Sequence, residues 1–177
     1  MPKIIYYVAT SLDGFIAGED DDISQFAQGG KGVEKYLADL QHFSTVIMGR
    51  RTYEFGYKYG LQPGQPAYPH MQHYIFSDSI QIKNCAENVH VVKRDIAKVR
   101  EIREQSPTDV YLCGGGVFAG WLLDHGLIDQ LKLKVNPITL GNGIRLFGDS
   151  TTQARWKLMQ AETYDDGLQI LTYELQS

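Results

Sequence analysis

Cysteine is nearly absent from this chain of 177 residues: only Cys85 and Cys113 occur, in no paired motif. That excludes a disulfide scaffold, and reduced thiols in a cytoplasmic protein are the expected state. An excess of positive charge is missing too. Seventeen Lys and Arg against 21 Asp and Glu give a formal net charge of −4, so no basic face is available for gripping nucleic acid. No apolar run reaches the roughly 18 residues of a membrane span. The opening Met1-Pro2-Lys3-Ile4-Ile5-Tyr6-Tyr7-Val8 reads straight into structure and not as a signal peptide. GxSxG, HExxH, Walker A and CxxC strings are all absent. His70-Met71-Gln72-His73 has no further ligands to form a metal site, and Glu19-Asp20-Asp21-Asp22 lacks the glycine and closing glutamate of a calcium loop.

What the chain does have is glycine, 18 residues of it, punctuating apolar runs of strand length that alternate with helical stretches. That alternation predicts an α/β domain with a largely parallel sheet. Ile4 to Thr10 and Thr45 to Met48 are continuous β-branched and apolar runs, as expected of strands covered on both faces. Residues 11–30 read as a long loop. Val33, Tyr36, Leu37, Leu40 and Phe43 recur at helical spacing, predicting an amphipathic helix over Lys31 to Phe43. A short helix is expected from Arg50 or Arg51, an irregular Pro- and Tyr-containing loop over 56–71, and short strands at Tyr74 to Phe76 and Val89 to Val92. A helix near Ile96 to Gln105 should stop before Pro107. Asp109 to Leu112 reads as a strand, Val117 to Asp124 as an apolar helix ended by Gly126, and Leu131 to Val135 as a further strand. At the tail, Trp156 to Thr163 and Leu168 to Leu175 flank Asp166-Gly167, a hairpin signal. One domain over 1–177 is expected.

Three strand ends carry residues suited to chemistry. Cys113-Gly114-Gly115-Gly116-Val117-Phe118 leads from a strand into a helix, where glycine lets backbone approach a ligand and the helix start offers free N–H groups to a phosphate. No carboxylate follows at the distance a Rossmann fingerprint requires, so that fold is not implied. Val46-Ile47-Met48-Gly49-Arg50-Arg51-Thr52 repeats the strand–glycine–helix theme with two guanidinium groups. Arg at a helix start opposes the dipole unless an anion is nearby. The third is Ala9-Thr10-Ser11-Leu12-Asp13-Gly14-Phe15-Ile16, small residues and then a loop able to flank a flat ring, with Asp13-Gly14 read as a turn.

Taken in order, these segments resemble the dihydrofolate-reductase-like fold, and within it the family containing the C-terminal reductase domain of the riboflavin-biosynthesis protein RibD. Val8 to Gly14 resembles that family's opening strand and SLDG turn; Val46 to Glu54 is similar to the dihydrofolate reductase VIMGRxTWE segment. Tyr74 to Ser77, Val110 to Gly116, and Leu127 to Leu131 with Pro137 and Leu140-Gly141 resemble the strand ending in Leu-Ser, the strand ending in GGG, and the LVDEL…P…LG signature. The resemblance implies a three-layer α/β/α fold with a mostly parallel central sheet and an antiparallel C-terminal hairpin. It implies an NADPH-dependent oxidoreductase transferring hydride to a small heterocyclic, carbonyl or imine substrate, like the uracil-derivative reductase of riboflavin biosynthesis. Ala9 and Ile16 would hold the nicotinamide; Gly49, Arg50, Arg51 and Thr52 the phosphates; Ser77 the adenine ribose; Gly114, Gly115, Gly116, Val117 and Phe118 the pyrophosphate and nicotinamide side. The helix after the first loop offers the acids Glu34 and Asp39, of which Glu34 is the candidate proton donor with water as the alternative source, and Tyr36, Tyr53, Phe55 and Tyr57 are candidate stacking residues. Two departures bear on substrate: Cys113 stands where the family often has Glu, and Gln25 to Lys35 is unlike the family's ribose-phosphate segment. Dihydrofolate reduction and a non-catalytic nucleotide-binding module are the alternatives. A homodimer is expected, with Leu131 to Val135 at its interface.

Overall fold

The computed structural model describes residues 1–177. Eight strands form one sheet in the order β5-β4-β3-β6-β1-β7-β10-β9. These are β1 (Ile4–Thr10), β3 (Thr45–Gly49), β4 (Gln72–Phe76), β5 (Val89–Val92), β6 (Val110–Gly114), β7 (Gln130–Val135), β9 (Trp156–Thr163) and β10 (Gln169–Leu175). The first six run parallel, and β10 and β9 pair antiparallel at one edge. Alternate side chains of β1 explain its unbroken apolar run. Ile4 and Tyr6 enter one core with Val99, Ile102 and Phe118, whereas Ile5 and Tyr7 enter the other with Leu40, Met48 and Tyr53. Helices α1 (Lys31–Leu40) and α2 (Arg50–Phe55) thus cover one face, and α3 (Ile96–Gln105) and α4 (Gly116–Asp124) the other. The fold is the dihydrofolate-reductase-like three-layer arrangement.

Local chemistry accounts for the boundaries. Asp95 caps α3, its carboxylate accepting from Ala97 N–H at 3.0 Å. Helix α1 stops at Leu40, three residues short of the expected Phe43, because the N–H groups of Gln41, His42 and Phe43 bond to carbonyls three residues back. Phe43 still reaches the core.

The expected loop over 11–30 contains a strand that periodicity could not show. Phe15–Ala17 (β2) pairs with Ile144–Arg145 (β8) as a separate two-stranded ribbon. Two devices close it. The Asp13 carboxylate accepts from the N–H groups of Leu140 (3.0 Å) and Gly141 (2.8 Å). Gly143, at φ +140°, lies so near Ala17 that a Cβ would stand 2.1 Å from its carbonyl oxygen. Ser11 together with those N–H groups holds the Asp13 carboxyl down at about 2.

Strand β7 lies inside the sheet, paired on both edges by β1 and β10. The backbone edges of Leu131 to Val135, the segment expected at an interface, are therefore already used within the sheet. The sheet's free edges are β5 and β9, and on β9 Leu158 and Met159 are each 51% exposed.

Candidate active site

Parallel strands β1, β3, β4 and β6 all end on the same edge of the sheet, and a cavity of about 630 Å³ opens there. That is the place and the size at which open α/β sheets take ligands. Gly49, Arg50, Arg51 and Thr52 form one stretch of its wall; Gly115, Gly116, Val117 and Phe118 form another; Ala9, Ile16 and Ser77 complete the expected set. Gly114 does not reach the wall.

The glycine run after β6 divides into three jobs. Gly114 takes φ +128°, a conformation other residues resist. Gly116 packs α4 against the chain, since a Cβ there would lie 2.2 Å from the Arg145 carbonyl oxygen. Only Gly115 spares the cavity a side chain: its dihedrals are ordinary (φ −87°), and a Cβ would meet just Thr52 Oγ1, at 3.0 Å. Neither α2 nor α4 has a side-chain cap. Their first N–H groups, beginning after Gly49 and Gly115, remain as donors to a ligand phosphate.

Around α2 the arginines are held out for work. Arg50 donates through Nε to Glu54 (2.7 Å) and through Nη1 to Ser79 Oγ (2.8 Å). Arg51 lies 3.8 Å from Asp21 and is largely exposed. Ser77 Oγ accepts from the N–H groups of Ser79 (3.2 Å) and Ile80 (3.0 Å), which shapes the turn after β4. Arg94, which the sequence reading did not single out, also borders this end, its guanidinium 5.6 Å from the Trp121 ring centre.

The opposite, inner end is built from phenols. Tyr36 and Tyr111 share a hydroxyl hydrogen bond of 2.6 Å, and Tyr68 OH lies 3.6 Å from Cys113 Sγ. Burial pushes the Tyr36, Tyr68 and Tyr111 hydroxyls and the Cys113 thiol up, so all four stay neutral. Of the candidate stacking residues, Tyr36, Tyr53 and Phe55 line the cavity and Tyr57 does not. Tyr53 OH is engaged structurally, donating to Gln65 O and accepting from Gly64 N–H at 2.8 Å each.

Glu34 is corrected. It is exposed on α1 and lies off the cavity wall, because the helical turn that brings Tyr36 inward carries position 34 away. The residue missed is Lys134. It stands directly across from Ala9 in the β1–β7 register, is 8% exposed, and lines the cavity. Its Nζ sits 4.1 Å from the Tyr36 ring centre. Its neighbour two residues earlier is satisfied differently: Lys132 Nζ donates to Asp39 at 2.9 Å, and Asp39 also receives Lys35 and the Tyr7 hydroxyl. With that carboxylate taken, Lys134 is left without an acidic partner, and burial pulls its amine down to about 8. Alternating Leu131-Lys132-Leu133-Lys134 gives the two lysines the same face and the same chemistry, so no signal in the sequence sets Lys134 apart from Lys132.

The fold is of the dihydrofolate-reductase-like class, with its cleft at the strand ends. The model of the family described as "RibD C-terminal domain" matches residues 2–170, and the chain belongs to that family. It is 26% identical over 171 residues to the uncharacterised protein YwjB of Bacillus subtilis, covering 95% of each. Among solved structures, a Shewanella protein named for riboflavin biosynthesis superposes with TM-score 0.80 at 22% identity, with full coverage of both chains. A Thermotoga maritima deaminase/5-amino-6-(5-phosphoribosylamino)uracil reductase gives 0.70 at 16%, covering 99% of this chain and 57% of that one. Enterococcus faecalis dihydrofolate reductase in complex with NADP(H) gives 0.69 at 15%, covering 99% and 97%. At these identities the structural likenesses establish the fold.

Proposed function

We propose that this chain is an NADPH-dependent reductase acting on a small planar heterocyclic, carbonyl or imine compound. One observation carries the reading: the uncapped starts of α2 and α4, the Arg50–Ser79 pair and the Gly115 opening all border a single cavity whose far end is aromatic. An extended dinucleotide fits that sequence of surfaces. Its phosphates would meet N–H groups and guanidinium, its 2′-phosphate would be recognised by Arg50 and Arg51, and its nicotinamide would lie by Ala9 and Ile16. When bound, the cofactor supplies a hydride. The protein's contribution is to hold the reacting partners in register and exclude water from the inner end. The NADP(H) complex of the structurally similar dihydrofolate reductase supports the choice of cofactor. Titrating the purified protein into NADPH and following the nicotinamide fluorescence tests it: saturable change at micromolar to millimolar cofactor is expected, and none would refute the reading. A cytoplasmic homodimer is proposed alongside, to be measured by sedimentation equilibrium.

A further inference from the structure

The inner end of the cleft has a definite electrostatic character. Its one charged group is the Lys134 ammonium; the hydroxyls of Tyr36, Tyr68 and Tyr111 and the Cys113 thiol around it are neutral. The cavity's carboxylates, Asp21 and Asp78, belong to the other end, Asp21 beside Arg51 and Asp78 in the turn following Ser77. The carboxylate nearest in kind, Asp39, is bound up with Lys35, Lys132 and Tyr7. A buried ammonium without a counter-ion costs stability, and a ligand bearing an oxygen anion or carbonyl would supply the missing acceptor. A ring presenting paired N–H donors finds no carboxylate there to accept them, and a cationic ring would face the ammonium.

We propose that Lys134 is the substrate anchor of this cleft and that it selects a planar compound presenting an anionic or carbonyl oxygen, held over Tyr36, against amino-substituted pyrimidines. The proposal rests on the reductase reading for the word substrate, but the binding preference itself belongs to the protein alone. The register that puts Lys134 beside Ala9 places the anchored oxygen next to the position assigned to the nicotinamide.

The experiment separates the two ideas. NADPH fluorescence titration of wild type and Lys134→Gln comes first; both should bind alike, since no phosphate-facing group has changed. Calorimetry then measures 2-naphthoate, its neutral isostere 2-naphthamide, and 2,4-diaminopyrimidine, each with and without saturating NADP+. A charge-assisted hydrogen bond predicts naphthoate about tenfold or more tighter than naphthamide in wild type. That ratio should collapse in Lys134→Gln and survive in part in Lys134→Arg, and diaminopyrimidine should not displace naphthoate. Equal ratios in wild type and Lys134→Gln overturn the proposal, as does tighter binding of diaminopyrimidine. Loss of NADPH binding in Lys134→Gln would assign the amine to the cofactor and overturn it too. Wild type that ignores NADPH but keeps the naphthoate preference refutes the reductase reading and leaves the anchor standing. Lys134→Met, which keeps the apolar stem, repeats the measurement should the glutamine variant fold poorly.

Discussion

Replacing Lys134 by methionine should make the protein more stable, and the gain should vanish with rising pH. The residue is 8% exposed, and the proton affinity of its amine falls from an ordinary 10.5 to about 8 through burial. A depression of that size corresponds to about 3 kcal/mol of desolvation borne by the folded state. Lys134→Met retains most of the stem packing and removes that cost, so the gain at pH 7 is up to about 3 kcal/mol. For a chain of this length that is up to about 8 °C in melting temperature. The sign of the pH dependence follows from proton counts. Between about pH 8 and 10.5 the unfolded lysine holds a proton that the folded one has released, so wild-type stability rises relative to the variant across that window. Below pH 8 the variant's advantage is complete; above about 10.5 it is gone. Urea unfolding of both proteins at several pH values between 7 and 10.5 measures the difference, and groups common to both cancel. A variant less stable by about 1 kcal/mol at pH 7, or an advantage independent of pH, would mean that the ammonium is partnered and would refute the reasoning.

Neighbouring glycines after β6 should fail in different ways. Gly115→Val should abolish the NADPH fluorescence response while leaving the circular dichroism and unfolding midpoint nearly unchanged, because its Cβ meets only Thr52 Oγ1. Gly116→Ala drives a Cβ to 2.2 Å from the Arg145 carbonyl oxygen and should cost about 1–3 kcal/mol by urea unfolding. Arg50→Ala should weaken NADPH about tenfold or more in the same titration and leave NADH little changed, since one guanidinium–phosphate bond is removed. Asp39→Asn should cost about 1–3 kcal/mol at pH 7, because three groups converge on that carboxylate. Burial pushes the Asp39 carboxyl up, but the bonds from Lys35, Lys132 and Tyr7 outweigh it and hold the group below its ordinary range. Its stabilising share is therefore complete above the unfolded carboxyl's range, near pH 4, and is lost as pH falls through the lower folded value. Wild type and Asp39→Asn should accordingly converge in acid unfolding.

Much of the fold was legible because burial on two faces leaves a plain mark. The runs Ile4 to Thr10 and Thr45 to Met48 have no polar alternation, and their short length and β-branched content fit strands covered on both faces. The wall residues at the strand ends were legible for a related reason: glycine where a backbone must approach a ligand, and arginine at a helix start, are choices with few other uses. Ribbon β2–β8 was not, since strands of three and two residues carry no period; they exist because Asp13 and Gly143 bring two distant loops together. Glu34 was misplaced because helical spacing tells which residues share a face but not which face meets the cavity. By itself the sequence determined the strands, the glycine turns and their order along one edge, since each depends on local conformation and on burial that periodicity records. Only the tertiary structure decided that Lys132 has a carboxylate and Lys134 does not. That difference depends on where α1 settles across the sheet, and there its Asp39 reaches Lys132 while its Tyr36 covers Lys134.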